Sequence, residues 1–245
     1  MLNVDTGKVQ IGDRNSKMKG VFATQEIQEG ETILFEGITV YESINTTDAH
    51  VPSTVRLALR IIADGHLDRL YENGFDPNLW NVKTPKHHKI WLRKAIESKI
   101  ASKQSVMNAY NIACAYNICV CYNQGSSPDG SQHLYKRAVI SPISCKINHS
   151  CEPNSRIWTT NDPSIVKQRL TGFIATETIN KGDEITFFYL EHIPDELTDE
   201  MPENLKSRLQ PQHWDVKSRR REIKKQFGFL CECSRCKRES EKHRV

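Results

Sequence analysis

The sequence predicts a β-rich α+β fold that carries a helical insert and a zinc module near its C-terminal end. Three observations support this prediction: a weak internal repeat, helical apolar spacing between the two copies of the repeat, and three closely spaced cysteines late in the chain. Hydrophobic residues make up 38% and charged residues 26% of the 245 residues, which is typical of a soluble globular protein.

The internal repeat lies at residues 21–34 and 173–186, which read VFATQEIQEGETIL and FIATETINKGDEIT. At an offset of 152, five of these fourteen positions are identical. Each copy has a β-prone run, a polar turn with glycine and a second β-prone run. Two distant copies of one strand–turn–strand unit indicate a pseudo-symmetric β core, with chance similarity of short segments as the alternative explanation.

The residues between the two copies change to helical character. Apolar side chains in residues 53–71 recur at helical spacing, and Ser53 is a candidate N-cap. Residues 88–103 also have a helical pattern, whereas Asn73–Pro85, with one glycine and two prolines, has a loop composition. We therefore predict one β-rich domain at residues 1–192, interrupted by a helical insert at about 42–106.

A second region, residues 193–245, is predicted to hold a linker, a basic helix and the cysteine group. Residues 193–213 carry three prolines and many acids, which is typical of an irregular linker. A helix is predicted at Asp215–Phe227, and it contains the basic run Arg219–Lys225. Because apolar residues interleave with this run at helical spacing, an exposed face of a packed helix is favoured over a nucleic-acid site or an import signal.

The cysteine group places Cys231, Cys233 and Cys236 within six residues. This spacing suits several bonds of about 2.3 Å to one Zn²⁺, while disulfides at the same spacing would be strained. Structural zinc prefers four ligands, so one ligand is missing locally. From the spacing alone, His243 and a distant cysteine are both candidates for that position.

A second motif, Asn148-His149-Ser150-Cys151-Glu152-Pro153-Asn154, predicts a polar loop with a candidate metal ligand. A histidine close to a cysteine also suggests thiol catalysis. Neighbouring residues in an extended chain point to opposite faces, which argues against a nucleophile–base pair and hence against a hydrolase.

Taken together, the motifs resemble those of SET-domain protein-lysine methyltransferases. The segment Asn148–Asn154 and the segment Gly182–Tyr189 (GDEITFFY) look like the two signature motifs of that family, and Phe227–Cys236 looks like its post-SET zinc segment. Gly20–Ala23 resembles the opening strand. The resemblance covers residues 17–41, about 107–192 and 214–236.

The interrupted β core and the zinc-terminated basic helix most resemble the SET-and-MYND branch and its fungal-type relatives. Two features depart from the family pattern. The usual opening Gly-x-Gly reads Met18-Lys19-Gly20 here, and the missing first glycine normally lets the backbone approach the methyl donor. The insert at 42–106 contains no cysteine, so the MYND zinc finger is absent from it.

The resemblance implies S-adenosylmethionine as methyl donor. It implies that Asn148 and His149 bind the donor, largely through backbone groups and the asparagine amide. Lys17 and Lys19 would flank the carboxylate end of the donor, where positive charge is favourable. Phe229 would stack on the adenine ring through its π-face.

The resemblance also implies roles at the reaction centre and at the metal. Tyr189 would supply the catalytic hydroxyl and contact the donor, although an isolated tyrosine at a strand end is more often a core residue. Phe187 would line the substrate channel and leave room for more than one methyl group. Cys151 would be the fourth ligand of a single structural Zn²⁺.

Composition limits the class of partner. A net charge of +4 is too mild to argue for direct nucleic-acid binding over the whole surface. No apolar run approaches the roughly 20 residues of a membrane span, and the N-terminus lacks a secretory pattern, so we expect an intracellular protein of the nucleus or cytoplasm. The expected partner is a protein substrate, with a histone tail first; the oligomeric state is not predicted.

Two other functions stay open. The protein is either an active methyltransferase or a catalytically inactive SET-like module that uses its zinc site for interaction, which the replacement of glycine by Met18 favours. The second alternative is a zinc-dependent nucleic-acid binder that uses Arg219–Lys225, for which salt-sensitive binding would be diagnostic.

Overall fold

In the described part of a computed structural model, the protein has three small β-sheets, a helical insert and a C-terminal pair of helices. This architecture confirms the predicted β-rich α+β class. None of the described helices is long and apolar enough to cross a membrane. The structure describes residues 7–15, 18–43, 50–79, 83–116, 118–126, 132–158, 170–190 and 213–242.

The first sheet has four strands and carries most of the candidate site. Its order is β1 (Val9–Asn15), β2 (Met18–Ala23), β10 (Glu184–Phe187) and β7 (Asn148–His149). β2 pairs antiparallel with both β1 and β10, whereas β7 runs parallel to β10, with Thr186 opposite Asn148. The parallel pair brings the two signature segments side by side.

The other two sheets have three strands each. One has the order β3 (Thr32–Gly37), β9 (Leu170–Ala175) and β8 (Ser155–Ile157), and all of its pairs are antiparallel. The other has the order β4, β6, β5, and is also antiparallel. Its strands are β4 (Val40–Ser43), β5 (Ile118–Ser126) and β6 (Gln132–Ile140).

The two copies of the predicted repeat pair with each other through their strands. β2 of the first copy pairs with β10 of the second copy, and β3 pairs with β9. Between the strands, Ile27 and Ile179 exchange two backbone hydrogen bonds of 2.9 and 2.8 Å. Gly30 and Gly182 occupy equivalent turns with φ of 80° and 91°, a conformation that glycine adopts without steric cost. The pseudo-symmetric β core is therefore confirmed.

The helical insert contains four α-helices, and its helix boundaries differ from the predicted ones. α1 is Ser53–Ala63, α2 is Leu67–Glu72, α3 is Lys86–Glu97 and α4 is Lys103–Tyr116. The single helix expected at 53–71 is split by a turn at Gly65, with φ of 66°. Pro52 occupies the N-cap position, so the expected cap at Ser53 is wrong.

The helix expected at 88–103 is not continuous either, because a break separates α3 from α4. α3 ends at Glu97, and Lys99 adopts a left-handed φ of 56° before α4 begins. Helical structure continues to Tyr116, past the predicted end of the insert at 106. A short 3₁₀ turn at Pro77–Leu79 lies inside the expected loop Asn73–Pro85.

The C-terminal helices are α5 (Val216–Phe227) and α6 (Ser234–Lys242). The predicted basic helix is present, and Asp215 is its N-cap, because the Asp215 carboxylate accepts the Ser218 N–H at 2.7 Å. Gly228 ends the helix in the left-handed conformation, with φ of 80°. The cysteine group lies directly after this stop.

Buried apolar side chains form two clusters. The larger one is continuous through the β-sheets and the helical insert, with Val21, Ile33, Leu57, Tyr110 and Phe173 fully buried. The smaller one joins the end of the β core to the C-terminal helices. Its buried members are Cys151, Leu190, Val216, Ile223, Cys231 and Cys236.

Candidate functional site

Four cysteine side chains meet where the C-terminal helices pack against the β core. Cys151 follows β7, while Cys231, Cys233 and Cys236 belong to the chain between α5 and α6 and to the first turn of α6. Their four Sγ atoms lie within 4.8 Å of one another. No other group of three metal-ligand side chains lies this close in the part of the chain that the structure describes.

Two of the sulfur separations match those of a tetrahedral zinc site. Four sulfurs at about 2.3 Å from a central Zn²⁺ would lie about 3.8 Å apart. Cys151 Sγ is 3.8 Å from Cys231 Sγ and 3.6 Å from Cys236 Sγ. Backbone support is present too, since the Cys151 N–H points at Cys233 Sγ at 3.4 Å. The donor set and its spacing therefore fit one zinc ion.

Two arginines offset the negative charge of these four sulfurs. The Arg219 side chain is completely buried, and its guanidinium lies 3.8 Å from Cys236 Sγ and 2.6 Å from Glu239 Oε2. Arg235 donates to the Cys151 carbonyl at 3.1 Å and to Glu239 at 2.7 Å. Four thiolates around one Zn²⁺ carry a net charge of −2, which favours nearby cations. The expectation that Arg219 lies on an exposed helix face is therefore wrong.

Asn148 is fixed at the edge of the four-stranded sheet by its side-chain amide. Its Nδ2 donates to the Lys19 carbonyl at 2.9 Å and to Glu184 Oε1 at 2.7 Å. Glu184 also pairs with Arg14 at 3.2 Å. Gly20 makes this approach possible, because a Cβ there would lie 2.7 Å from the Glu184 carboxylate. Glu184 was not singled out in the sequence, although it lies within the Gly182–Tyr189 motif.

Asn154 was also not singled out, and it ties the first signature segment to β10. Its Oδ1 accepts the Thr186 N–H at 2.8 Å, and its Nδ2 donates to the Glu184 carbonyl at 2.9 Å. The Ser155 hydroxyl adds a bond to the Thr186 carbonyl at 2.8 Å. The only sequence signal for this contact was that Asn154 ends the resembling motif.

His149 lies between the cysteine group and Tyr189. Its Nδ1 accepts the Tyr189 N–H at 3.1 Å, so the ring proton lies on Nε2, which is 3.2 Å from Cys151 Sγ. The expectation that these two side chains point to opposite faces is therefore wrong, because residues two positions apart in an extended segment share a face. Burial lowers the pKa of His149 to about 4, so the ring is neutral at neutral pH. The side chain thus connects the cysteine group to the backbone of the candidate catalytic residue.

Tyr189 lies just after β10 and is surrounded by aromatic rings. Its hydroxyl donates to the Ile147 carbonyl at 2.8 Å. Burial raises the pKa of the Tyr189 hydroxyl, so the group stays protonated at neutral pH. Its ring centroid lies 4.8 Å from Phe187, 5.0 Å from Phe227 and 6.3 Å from Phe229.

The rings of Phe187 and Phe229 differ in exposure. Phe187 is buried and packs edge-on against Phe173 at 5.1 Å. Phe229 is 37% exposed and lies 6.2 Å from His149. An exposed aromatic face beside buried polar groups is suited to stacking on a planar ligand.

The remaining predicted donor-binding residues have different outcomes. Lys19 is on β2, where its carbonyl holds Asn148 and its exposed ammonium lies 2.5 Å from Asp13. Met18, which replaces the usual glycine, begins the same strand and is 39% exposed. Lys17 and the alternative ligand His243 lie outside the described residues.

Comparison with protein families gives one match. A family model for the SET domain matches residues 18–190, more than two thirds of the chain. This span includes both signature segments, the insert and Cys151. It ends before α5 and the three C-terminal cysteines, and it does not distinguish the SET-and-MYND branch, so that assignment stays a prediction.

Similar individual proteins are histone-lysine N-methyltransferases. Those called SET5 from Vanderwaltozyma polyspora and Saccharomyces cerevisiae are 32% and 31% identical over 93 residues, which is 38% of this chain. The aligned part is only 13% of the length of either relative. The solved structure of the Neurospora SET domain protein DIM-5, a histone lysine methyltransferase, has a TM-score of 0.34 at 21% identity, over 76% of this chain and 54% of that one.

Proposed function

Because the chain belongs to the SET-domain family, we propose that it is a protein-lysine N-methyltransferase with S-adenosylmethionine as methyl donor. The observation that carries this proposal is the junction of β7 and β10. There Asn148, His149 and Tyr189 lie together, next to the half-exposed ring of Phe229. The domain limits that we propose are 1–192 for the SET domain and 193–245 for the post-SET region.

A histone is our first choice of substrate. The support is the similarity to the two SET5 proteins, both of which are histone-lysine N-methyltransferases. A histone substrate places the protein in the nucleus for at least part of its life. Other proteins with accessible lysines form the second class of substrate.

The proposed metal is one structural Zn²⁺ held by Cys151, Cys231, Cys233 and Cys236. The support is the near-tetrahedral spacing of their sulfurs together with the buried Arg219. Such a zinc would keep Phe229 close to His149, because Phe229 precedes the first C-terminal ligand by two residues. The metal has no part in the chemical step in this proposal.

The residues around the junction would hold the donor on one side and the lysine on the other. Asn148 and His149 would bind the donor mainly through backbone groups, with Lys17 and Lys19 near its carboxylate and Phe229 against its adenine. When bound, S-adenosylmethionine supplies a methyl group that is activated by its positively charged sulfur. Phe187, Phe227 and Tyr189 would exclude water from the reacting groups, as their rings pack together.

Tyr189 would act as an orienting hydroxyl and not as a base. Its hydroxyl is protonated and anchored to the Ile147 carbonyl, so it can accept a further hydrogen bond from the incoming amine. The lysine must arrive neutral, and a buried site beside a positive sulfur lowers an amine pKa. Orientation of two reactants in this way lowers a barrier by about 7–11 kcal/mol in favourable cases.

The direct test combines donor binding with product analysis. Calorimetry should detect binding of S-adenosylmethionine with a Kd in the micromolar range, about −8 kcal/mol. Incubation with labelled donor and separate core histones should label lysine, and mass spectrometry should find products beyond monomethyl-lysine if Phe187 leaves the expected room. A folded, zinc-loaded protein that releases no heat with millimolar donor would contradict the proposed function.

Tyr189→Phe is expected to remove most of the activity while leaving the fold and donor binding nearly unchanged. Only the hydroxyl is lost, and its proposed role concerns the reacting amine. The measurements are kcat on histone and the donor Kd. Tyr110→Phe is the matched control, because Tyr110 is buried in the insert and its hydroxyl bonds His88 at 2.8 Å, away from the site. Wild-type turnover in Tyr189→Phe would contradict the proposed role of the Tyr189 hydroxyl in catalysis.

A second candidate function is a catalytically inactive SET-like module that uses its zinc region for interaction. The observation that favours it is Met18, a bulky residue where the family pattern has glycine. The calorimetric experiment separates the two functions. Restoring donor binding by Met18→Gly in a non-binding wild-type protein would support the inactive module.

A further inference from the structure

The segment around α3 concentrates the positive charge of the chain, and four of its seven cations lie on α3 itself. Residues 83–103 contain seven lysines and arginines and one acid, Glu97, which gives a net charge of +6. Since the whole chain has a net charge of +4, the other residues together carry −2. The mild net charge of the whole chain hides this local excess.

Helix geometry separates this charge from the core. Leu92 and Ala95 bury one side of α3 against the insert. Lys86, Lys89 and Arg93 lie at spacings of three and four residues on the opposite side, and all three are exposed. Within the described residues, no acidic side chain forms an ion pair with any of these three.

An apolar side chain lies at the centre of the same face. Ile90 is 56% exposed, and its helical neighbours at four before and at three and four after are Lys86, Arg93 and Lys94. These side chains line one shallow surface depression together with Lys89 and Glu97. We call the five residues Lys86, Lys89, Ile90, Arg93 and Lys94 the α3 basic face.

We propose that the α3 basic face docks an acidic segment of a partner protein that carries an apolar residue among its carboxylates. Unpaired exposed cations attract carboxylates, and a matching charge pattern speeds association and selects the partner. The central Ile90 gains only from a partner with an apolar side chain to bury against it. A nucleic-acid backbone would match the cations but would offer Ile90 no such contact.

This docking surface shares no residue with the proposed methyl-transfer site. Helix α3 of the insert provides it, whereas Tyr189 and the cysteine group lie on the β core and the C-terminal module. Failure of the docking proposal would therefore leave the proposed function intact, and an inactive protein would still be able to dock a partner.

The probe is a short fluorescent peptide of aspartate and glutamate with leucine at every fourth position, measured by fluorescence anisotropy with the full chain. The double variant Lys89→Glu/Arg93→Glu should weaken binding at least tenfold, and the effect should shrink at high salt. The matched control Arg221→Glu/Lys224→Glu makes the same charge change on exposed positions of α5 and should bind like wild type.

Two further arms test the apolar contact and the partner class. Ile90→Ser should weaken binding several-fold without changing its salt dependence, and a peptide with serine in place of leucine should no longer distinguish Ile90→Ser from wild type. Duplex DNA that binds more tightly than the peptide and is lost in Lys89→Glu/Arg93→Glu would overturn the proposal in favour of a nucleic-acid surface. Equal peptide binding by wild type and both double variants would show that the α3 basic face is not a docking site.

Discussion

The helical insert and the C-terminal module pack against the same β core, but different interactions hold them in place. In the insert, Val55, Leu57, Ile61 and Tyr110 are completely buried in a cluster that continues into the β-sheets. In the C-terminal module, three of the six buried members of the smaller cluster are cysteines. The insert is therefore held mainly by the hydrophobic effect, whereas the module combines a small apolar cluster with the four cysteines of the proposed zinc site.

The sequence of the module explains why we expect it to depend on the proposed zinc. α6 reads SRCKRESEK, in which Cys236 is the only apolar residue. A nine-residue polar helix is not stable alone in water, because nucleation is costly and few side chains reward it. Where a chain has too little apolar surface to bury, four ligands from distant positions supply the missing free energy.

Removal of zinc should produce the largest effect, and this effect should be confined to the C-terminal module. With a strong chelator at neutral pH, residues 213–242 should lose protection from hydrogen exchange, while the β core and the insert keep theirs. Structural zinc contributes about 10–16 kcal/mol of apparent binding free energy in small motifs, so nothing else in the module replaces it. Donor binding should fall with the module, since Phe229 lies within it.

Cys151→Ser tests the proposed zinc site by removing one of its four ligands. Metal analysis should give one zinc per chain in wild type and a sharp loss in Cys151→Ser, although this residue is 80 positions from Cys231. The buried Cys114→Ser serves as the matched control, because that thiol belongs to the insert. Full zinc in Cys151→Ser would point to another fourth ligand and would break the link between metal and core.

Arg219→Met should have the next largest effect and should again be confined to the module. Removing one partner of a buried ion pair costs about 3–5 kcal/mol, and Arg219 is fully buried between Glu239 and Cys236. Zinc should be lost to a competing chelator at lower concentration than in wild type. Arg221→Met, an exposed position on α5, is the control and should retain zinc like wild type. Unchanged zinc retention in Arg219→Met would contradict the proposed charge compensation.

Leu57→Ala should destabilise the protein by a comparable or smaller amount. The loss should affect the insert and the β-sheets and not the C-terminal module. Truncation of a fully buried leucine costs about 2–5 kcal/mol, and Leu57 belongs to the cluster shared by the insert and the sheets. Urea unfolding should show the loss in the main transition, with one zinc per chain still bound. Ile100→Ala, at 54% exposure, should change stability by less than about 0.5 kcal/mol. Zinc loss in Leu57→Ala would mean that the two regions are not independent.

Several features of the site were predictable because their signals are local. The repeat at 21–34 and 173–186 encodes matching strands and glycine turns, and these pair as expected. The close spacing in sequence of Cys231, Cys233 and Cys236 predicts a metal site. Asn148, His149 and Tyr189 were recognised through family motifs, which carry information that residue chemistry alone does not.

Other features were missed because they depend on contacts between distant residues. Glu184 holds Asn148 across 36 positions, and Asn154 holds Thr186 across 32. The helix boundaries in the insert were wrong where a single turn, at Gly65 or Lys99, interrupts an apolar pattern that continues beyond it. Local periodicity carries no signal for such breaks.

The sequence by itself determined the β-rich class, the helical insert, the zinc triplet and the family, since each depends on spacing along the chain or on a local motif. The tertiary structure decided which residues meet: Cys151 with the C-terminal cysteines, His149 between the cysteine group and Tyr189, and Arg219 in a buried position. The physical reason is that a side chain's charge, burial and partners are set by the surfaces that pack against it. Those surfaces come from other parts of the chain, as the buried Arg219 illustrates on a helix whose Arg221, Lys224 and Lys225 face solvent.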